Sequence, residues 1–281
     1  MALARSSCSE MVTTAYEIPP SFGLLDSTSP DRWTKLFRQI AELNGDAKKS
    51  HGGAELEFKL FFLGRHGEGF REWNERHTNG HWSKLDGDGE IVWGPDAELT
   101  PLGISQAQTA HTAFVAEFAS GLRIPDATYV SPLSRALRTF EITFDGLFSG
   151  EHPEDPIQAA CREQYGVHTC DLRRSRTFIF STFPHITTLP PKLDAHTPFP
   201  LTENDELWTA DERETSDHVA ARVKTVLDVV FEKERGDFIS ITAHSGMING
   251  FLASIGRPSF SLGTGGVLPV VVKGTRTRTC L

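Results

Sequence analysis

Cysteine is scarce in this chain. The four present (Cys8, Cys161, Cys170, Cys280) form no C-x-x-C pair and no dense framework, so a disulfide-stapled scaffold is not indicated. Free thiols in a reducing compartment are expected, with Cys161 and Cys170 as two half-buried small residues. Long apolar runs are missing as well. Nothing approaches the ~20 residues that a membrane helix needs. No apolar stretch follows Arg5, so no signal peptide is expected and the cytosol is the default. An excess of basic charge is also absent: the net charge of −9 argues against a general nucleic-acid binder. An anionic small-molecule substrate stays compatible, because a pocket can be locally positive. No internal repeat and no Gly/Ser linker divides the 281 residues, which are enough to bury a full core.

What is present is an alternation of strand and helix patterns. Residues 1–30 read as an irregular arm rich in Ser, Thr and Pro. In "DRWTKLFRQIAELNGDAKKS", Trp33, Leu36, Phe37, Ile40 and Leu43 recur at helical spacing, with Asp31 as the cap. "KLFFLG" is a short buried strand, "TPLGISQAQTAHTAFVAEFASGL" a helix opened at Thr100-Pro101 and closed by Gly121, and "DATYVSP" a strand. "LSRALRTFEITFDGLF" reads as a helix and "DPIQAACRE" as a further strand. "TSDHVAARVKTVLDVVFEKERG" is an amphipathic helix, "DFISITAH" a strand, "SGMINGFLASIG" a helix and "GVLPVVVKG" a last strand, which Pro269 confines to an edge or a bulge. The basic "GTRTRTCL" tail is expected to be a solvated end.

This order predicts an α/β fold: a mainly parallel central sheet flanked by helices, with an inserted cap segment. Residues 1–57 form an arm and helix packing on the core. Residues 58–281 form the α/β domain, and 164–215 are the insertion over one face. Within it Phe178, Phe180, Phe183 and Phe199 suggest an apolar lid, and hence a substrate with an apolar part.

In open α/β sheets ligands bind beyond the carboxyl ends of the strands. Those ends deliver Arg65-His66, then Ser131-Pro132 with Arg135 in the next turn, then Arg162-Glu163, then His244-Ser245. Two arginines, two histidines and a carboxylic acid thus converge on one rim. They suit phosphoryl transfer through a covalent histidine. Neutral imidazole is a good nucleophile near neutral pH. Arginines and a second histidine steady the charge on the phosphoryl oxygens, and a carboxylic acid protonates the leaving alkoxide. Glu163 is the candidate acid, with Glu68 and Glu72 as rivals in reach. Cationic side chains supply the positive charge, so no metal or other cofactor is expected. His77 and His81 form H-x-x-x-H, but Asn79-Gly80 breaks the helix that would align them. "GTGG" at 263–266 lacks a nucleotide-binding frame and reads as a turn.

"LGRHGE", "LTPLGISQA", "SPLSRALRT", "CREQYGVHTCDLRR" and "ITAHSGMI", in this order from about Phe58 to Ile248, resemble the histidine phosphatase superfamily (phosphoglycerate mutase-like), and most closely its fungal phosphomutase branch. The resemblance implies His66 as phospho-acceptor, Arg65, Arg135 and His244 as the phosphate pocket, and Glu163 as proton donor. Gly67, Glu68, Arg71, Asn74 and Ser245 are expected around the substrate. His168, Cys170 and Asp171 resemble a family signature and are expected to support the acid loop.

One position departs from the pattern. Members of this branch usually read R-H-G-E-G-x-H-N, and the asparagine helps bind phosphate; here the last two positions are Arg71 and Glu72. A carboxylate within ~4–6 Å of a bound dianion is repelled by several kcal/mol unless it is protonated or paired. The first expectation is that Glu72 swings out to solvent and phosphate still binds. That makes the protein a metal-independent phosphomonoesterase acting on a small metabolite through phospho-His66. The alternative is an enzyme of fungal secondary metabolism. In it Glu72, Glu163, His66 and His244 perform phosphate-independent acid/base chemistry: isomerisation, elimination or cyclisation.

Overall fold

The computed structural model describes residues 17–49, 54–77, 85–148, 159–184 and 200–277. In chain order its elements are α1 (Arg32–Lys49), β1 (Ala54–Arg65), α2 (Phe70–His77), α3 (Pro101–Phe118), β2 (Ala127–Val130), α4 (Ser134–Thr143), α5 (Arg176–Thr182), α6 (Ser216–Lys233), β3 (Phe238–Ala243), α7 (Ser245–Ser254) and β4 (Val267–Thr277). The sheet order among the described residues is β2-β3-β1-β4. β3 pairs in parallel with both β1 and β2, and β4 runs antiparallel along β1. The mainly parallel α/β architecture is therefore as expected.

Alternation along β1 explains the layers. Phe61 and Leu63 face one side and pack with Val219, Val223, Val226 and Val230 of α6 and with Met247 and Phe251 of α7. Leu60 and Phe62 face the other side and pack with Trp33 and Ile40 of α1, Phe114 of α3, and Leu137 and Phe140 of α4. The parallel strands β2 and β3 are buried at every residue, as a sheet covered on both faces requires. On α1 the predicted stripe stops short: Leu43 is 46% exposed. Asp31 holds Lys35 at 2.8 Å one turn on. Thr100 caps α3 by accepting the Gly103 N–H, as predicted.

Three expectations change. The stretch read as a strand before Glu163 holds a single 3-10 turn, Ala159–Cys161. Its carbonyls are satisfied by a side chain instead of a neighbouring strand: Arg222 of α6 donates to Ala160, Arg162 and Glu163. The basic tail is not a loose end up to Thr277, because residues 274–277 extend β4 against residues 54–57 of β1. Among the described residues the aromatic side chains of the insertion do not form a lid. Ile179 and Phe183 are fully buried in the α1/α3/α4 core and Phe178 and Phe180 pack against it, so burial of aromatic area pins the segment down. Phe199 lies outside the described residues. Pro269 sits in β4 opposite Phe62, on an edge strand, where a missing N–H is harmless. Among the described residues no helix is long and apolar enough to cross a membrane. Cys161 and Cys170 are free and fully buried; Cys8 and Cys280 lie outside the described residues.

Candidate active site

The carboxyl ends of β1, β2 and β3 meet as the topology requires. β1 delivers His66, whose backbone is fixed on both sides: its N–H donates to Ala243 at 2.9 Å and its carbonyl accepts from Gly265 at 2.9 Å. The GTGG turn, read as a mere connection, therefore braces the candidate nucleophile. His66 Nδ1 lies 2.6 Å from the Gly67 carbonyl, which can only accept, so Nδ1 carries the proton and Nε2 keeps a lone pair. Burial, assisted by Arg135 and Arg65 and opposed by Glu72, lowers the His66 pKa to about 3, so the ring is neutral at physiological pH. The Gly67 N–H donates to Thr139 at 3.0 Å, tying this loop to α4. A Cβ at Gly67 would run into the Gly103 backbone, so only glycine lets the loop lie against the first turn of α3.

The His244 ring lies 4.8 Å from that of His66, centroid to centroid. Its Nε2 is 2.7 Å from Ser131 Oγ at the end of β2, and its Nδ1 is buried without a hydrogen bond. Burial first, and then the neighbouring arginines and His66, hold its pKa well below the usual value. Ser131 is thus the serine that engages His244, while Ser245 opens α7.

Arg135 presents its edge to the site. Its Nε donates toward His66 Nε2 at 3.4 Å, while its two terminal nitrogens donate to the Cys170 carbonyl at 2.8 Å and to Asp171 at 2.7 Å. Arg213 donates to the other Asp171 oxygen at 2.8 Å. The Asp171 carboxyl is fully buried, yet Arg71, Arg135 and Arg213 outweigh the cost of burial and hold it at about 2. The His168–Asp171 segment therefore supports Arg135 and also the acid loop, where the Asp171 carbonyl accepts from Arg162, next to Glu163, at 2.8 Å. Arg65 donates to the Leu262 carbonyl at 2.8 Å, and its buried Nε makes no hydrogen bond.

Glu72 contradicts the expectation that it swings out to solvent. It is 8% exposed and lies inside the cluster. Its Oε1 is 3.5 Å from Arg65, 3.6 Å from His66 Nε2 and 4.0 Å from Arg71, while Oε2 accepts the Gly69 N–H at 3.1 Å. Burial pushes this carboxyl up, but His66, Arg71, Arg135 and Arg65 together hold it at about 2. The reason for its inward turn is electrostatic: from the first turn of α2 it reaches Arg65, Arg71 and Arg135. Arg71 in turn stays firmly protonated, its own burial outweighed by Asp171, Glu72 and Glu163.

Glu163 is 3% exposed and sits at the start of α7. Its Oε2 accepts from Gly246 at 3.1 Å and Oε1 from Gln164 at 2.9 Å. Glu68 is anchored away from acid duty by Thr100, which donates to its carboxylate at 2.9 Å, while its backbone N–H donates to Gln106 at 2.7 Å. The side chain of Asn74 and the whole of His81 lie outside the described residues. Among the described residues no group of three His, Cys, Asp or Glu is placed to hold a metal ion. Sequence reasoning missed Asp171 as the partner of Arg135, Ser131 as that of His244, and Arg222 as the brace of the Glu163 segment. Only Ser131 carried a local signal, its place at a strand end.

Fold and cluster together define an α/β protein with an arginine-lined pair of histidines at the carboxyl ends of its strands. The family model for the histidine phosphatase superfamily (branch 1) matches residues 61–151. The chain is 37% identical over 248 residues to a "Probable phosphoglycerate mutase" of Arthroderma benhamiae, covering 86% of this chain and 70% of that one. It is 30% identical over 287 residues to a "Probable phosphoglycerate mutase" of Saccharomyces cerevisiae, covering 90% and 92%. Among solved structures it is similar to a mycobacterial glucosyl-3-phosphoglycerate phosphatase in complex with VO3, at 18% identity and a TM-score of 0.46 over 78% of this chain and 98% of that one. The chain belongs to the histidine phosphatase superfamily.

Proposed function

We propose that this protein hydrolyses a small phosphomonoester through a phosphohistidine at His66. The observation that carries the reading is the aim of His66 Nε2: neutral, unprotonated, and flanked by Arg135 at 3.4 Å and the His244 ring. In the first step Nε2 bonds to phosphorus, the ester P–O bond breaks, and the alkoxide takes a proton from Glu163 in its protonated form. In the second, Glu163 takes a proton from water, the oxygen of that water attacks phosphorus, the P–N bond breaks and inorganic phosphate leaves. Arg65, Arg71, Arg135 and His244 supply the charge and hydrogen bonds around the phosphoryl oxygens. Transfer to a second hydroxyl in place of water makes the same machinery a mutase, the activity for which the two fungal relatives are named.

The test is vanadate binding by thermal shift beside phosphate release from a panel of phosphomonoesters. Vanadate mimics the five-coordinate transition state and is expected to stabilise the protein more than phosphate does. His66→Ala is expected to abolish phosphate release; a fully active variant sinks the covalent mechanism.

A second reading is favoured by Glu72. A carboxylate 3.6 Å from an imidazole nitrogen makes a pair able to pass a proton to and from an uncharged substrate. Under that reading wild-type protein neither binds vanadate nor releases phosphate, and Glu72→Asn gains both.

A further inference from the structure

Glu72 stands where a phosphoryl group on His66 has to go. Its Oε1 is 3.6 Å from Nε2, and the oxygens of a phosphoryl group bonded to that nitrogen extend into the same space. The carboxylate is not free to leave for water, since it is 8% exposed and its other oxygen is held by the Gly69 N–H. Among the described residues the charged groups around it are these. His66 and Arg65 face it from the end of β1, Arg71 from α2 and Arg135 from α4. Asp171 engages the fork of Arg135 from behind, and Glu163 and His244 complete the rim. Resident carboxylate and incoming dianion therefore compete for the same arginines.

We infer that Glu72 takes up a proton when a tetrahedral dianion binds at His66, so that the site accepts a phosphomonoester together with one proton. Protonation turns Glu72 from an acceptor that repels phosphoryl oxygens into an O–H donor that bonds them. The arginines are already charged, and His66 must keep its lone pair for attack; His244 and Glu163 are the rival holders of this proton, and Glu72 is the one whose oxygen lies 3.6 Å from His66 Nε2. Glu72 is then the group that ties binding of a phosphomonoester dianion to pH. This inference rests on the phosphomonoesterase reading of the same site.

Sulfate is a suitable probe, being a tetrahedral dianion with no titrating proton across the working range. Its affinity is measured by calorimetry from about pH 5 to 8 for wild type and for Glu72→Gln, with Glu72→Asn as a second variant. Wild-type affinity is expected to fall by about tenfold per pH unit, because one proton enters with the anion. Titrations in buffers of different ionisation enthalpy should count ~1 proton taken up. In both variants the slope should flatten and binding at neutral pH tighten. An equal slope in wild type and variants assigns the proton to His66, His244 or Glu163 and overturns the inference. So does pH-independent wild-type binding with no proton uptake, which means that the carboxylate moves aside. Binding by the variants alone makes Glu72 a permanent block and also overturns it. Failure of sulfate and vanadate to bind any form at any pH overturns instead the phosphate-site reading, and the coupling with it.

Discussion

At the scale of single residues, the site depends on contacts only one atom deep. Gly246 is the sharpest case. A Cβ there would collide with Glu163 Oε1, the side chain that the Gly246 N–H positions. Gly246→Ala is expected to leave thermal stability within about 1 kcal/mol, since a side-chain tip gives way, yet to lower phosphomonoester turnover by ~10²-fold or more. Thermal unfolding beside steady-state kinetics checks it; unchanged turnover removes Glu163 from its assigned role. Much of this level was legible. The candidates His66, Arg65, Arg135 and His244 do gather at one rim, because strand ends in a parallel sheet share a side; Glu163 reaches it from an irregular segment and Glu72 from α2. The orientations were not legible. Glu72 turns inward because of arginines drawn from three elements, and the Arg135 fork is turned by Asp171, from an irregular segment without a period to read.

At the scale of elements, α4 and the Glu163 segment are held by partners remote in sequence. The first turn of α4 has no cap of its own at Leu133; Asp96 takes both the N–H and the hydroxyl of Ser134, at 2.8 and 2.7 Å. Burial, outweighing these hydrogen bonds and Arg135, raises the Asp96 pKa from 3.8 to about 6. Between about pH 4 and 6 the folded chain thus keeps a proton that the unfolded chain has released, so stability falls as pH rises through that window, by about 3 kcal/mol. Relative to Asp96→Asn, wild-type protein should lose this amount; denaturant titrations at several pH values measure it, and a flat difference refutes the assignment. Arg222 braces the other segment while paired with the fully buried Glu214 at 2.7 Å. Arg222→Met removes both arginine bonds from Glu214, leaving it only the half-exposed His218 at 2.7 Å, and is expected to cost ~3–5 kcal/mol in the same titration. α6 was recognisable from its apolar stripe, but nothing in that stripe marks Arg222 as an inward residue. That is why the turn it braces was read as a strand.

At the scale of the whole molecule, the alternation of strand and helix patterns foretold a mainly parallel sheet flanked by helices, and Pro269 foretold an edge or a bulge for β4, of which the edge is found. The N-terminal helix shares the main core instead of merely leaning on it: Trp33 is fully buried beside Phe62 and donates to Glu117 of α3 at 2.5 Å. Phe62, packed against Phe22, Trp33, Phe114 and Phe238, joins these parts. Phe62→Ala is expected to destabilise the fold by ~3–5 kcal/mol. Vanadate affinity in the fraction still folded should stay unchanged; denaturant melts with and without vanadate test both halves.

The register of β1 has a consequence for synthesis. Leu60 pairs with Phe238 and with Val271, so both neighbours of this strand are made long after it. Until then the apolar Leu60-Phe61-Phe62-Leu63 run has no sheet to join. A growing chain with an unpaired apolar strand is prone to aggregate and to engage holding chaperones. A ribosome stalled before Phe238 should therefore carry a protease-sensitive chain that never acquires the histidine pair, however long it waits.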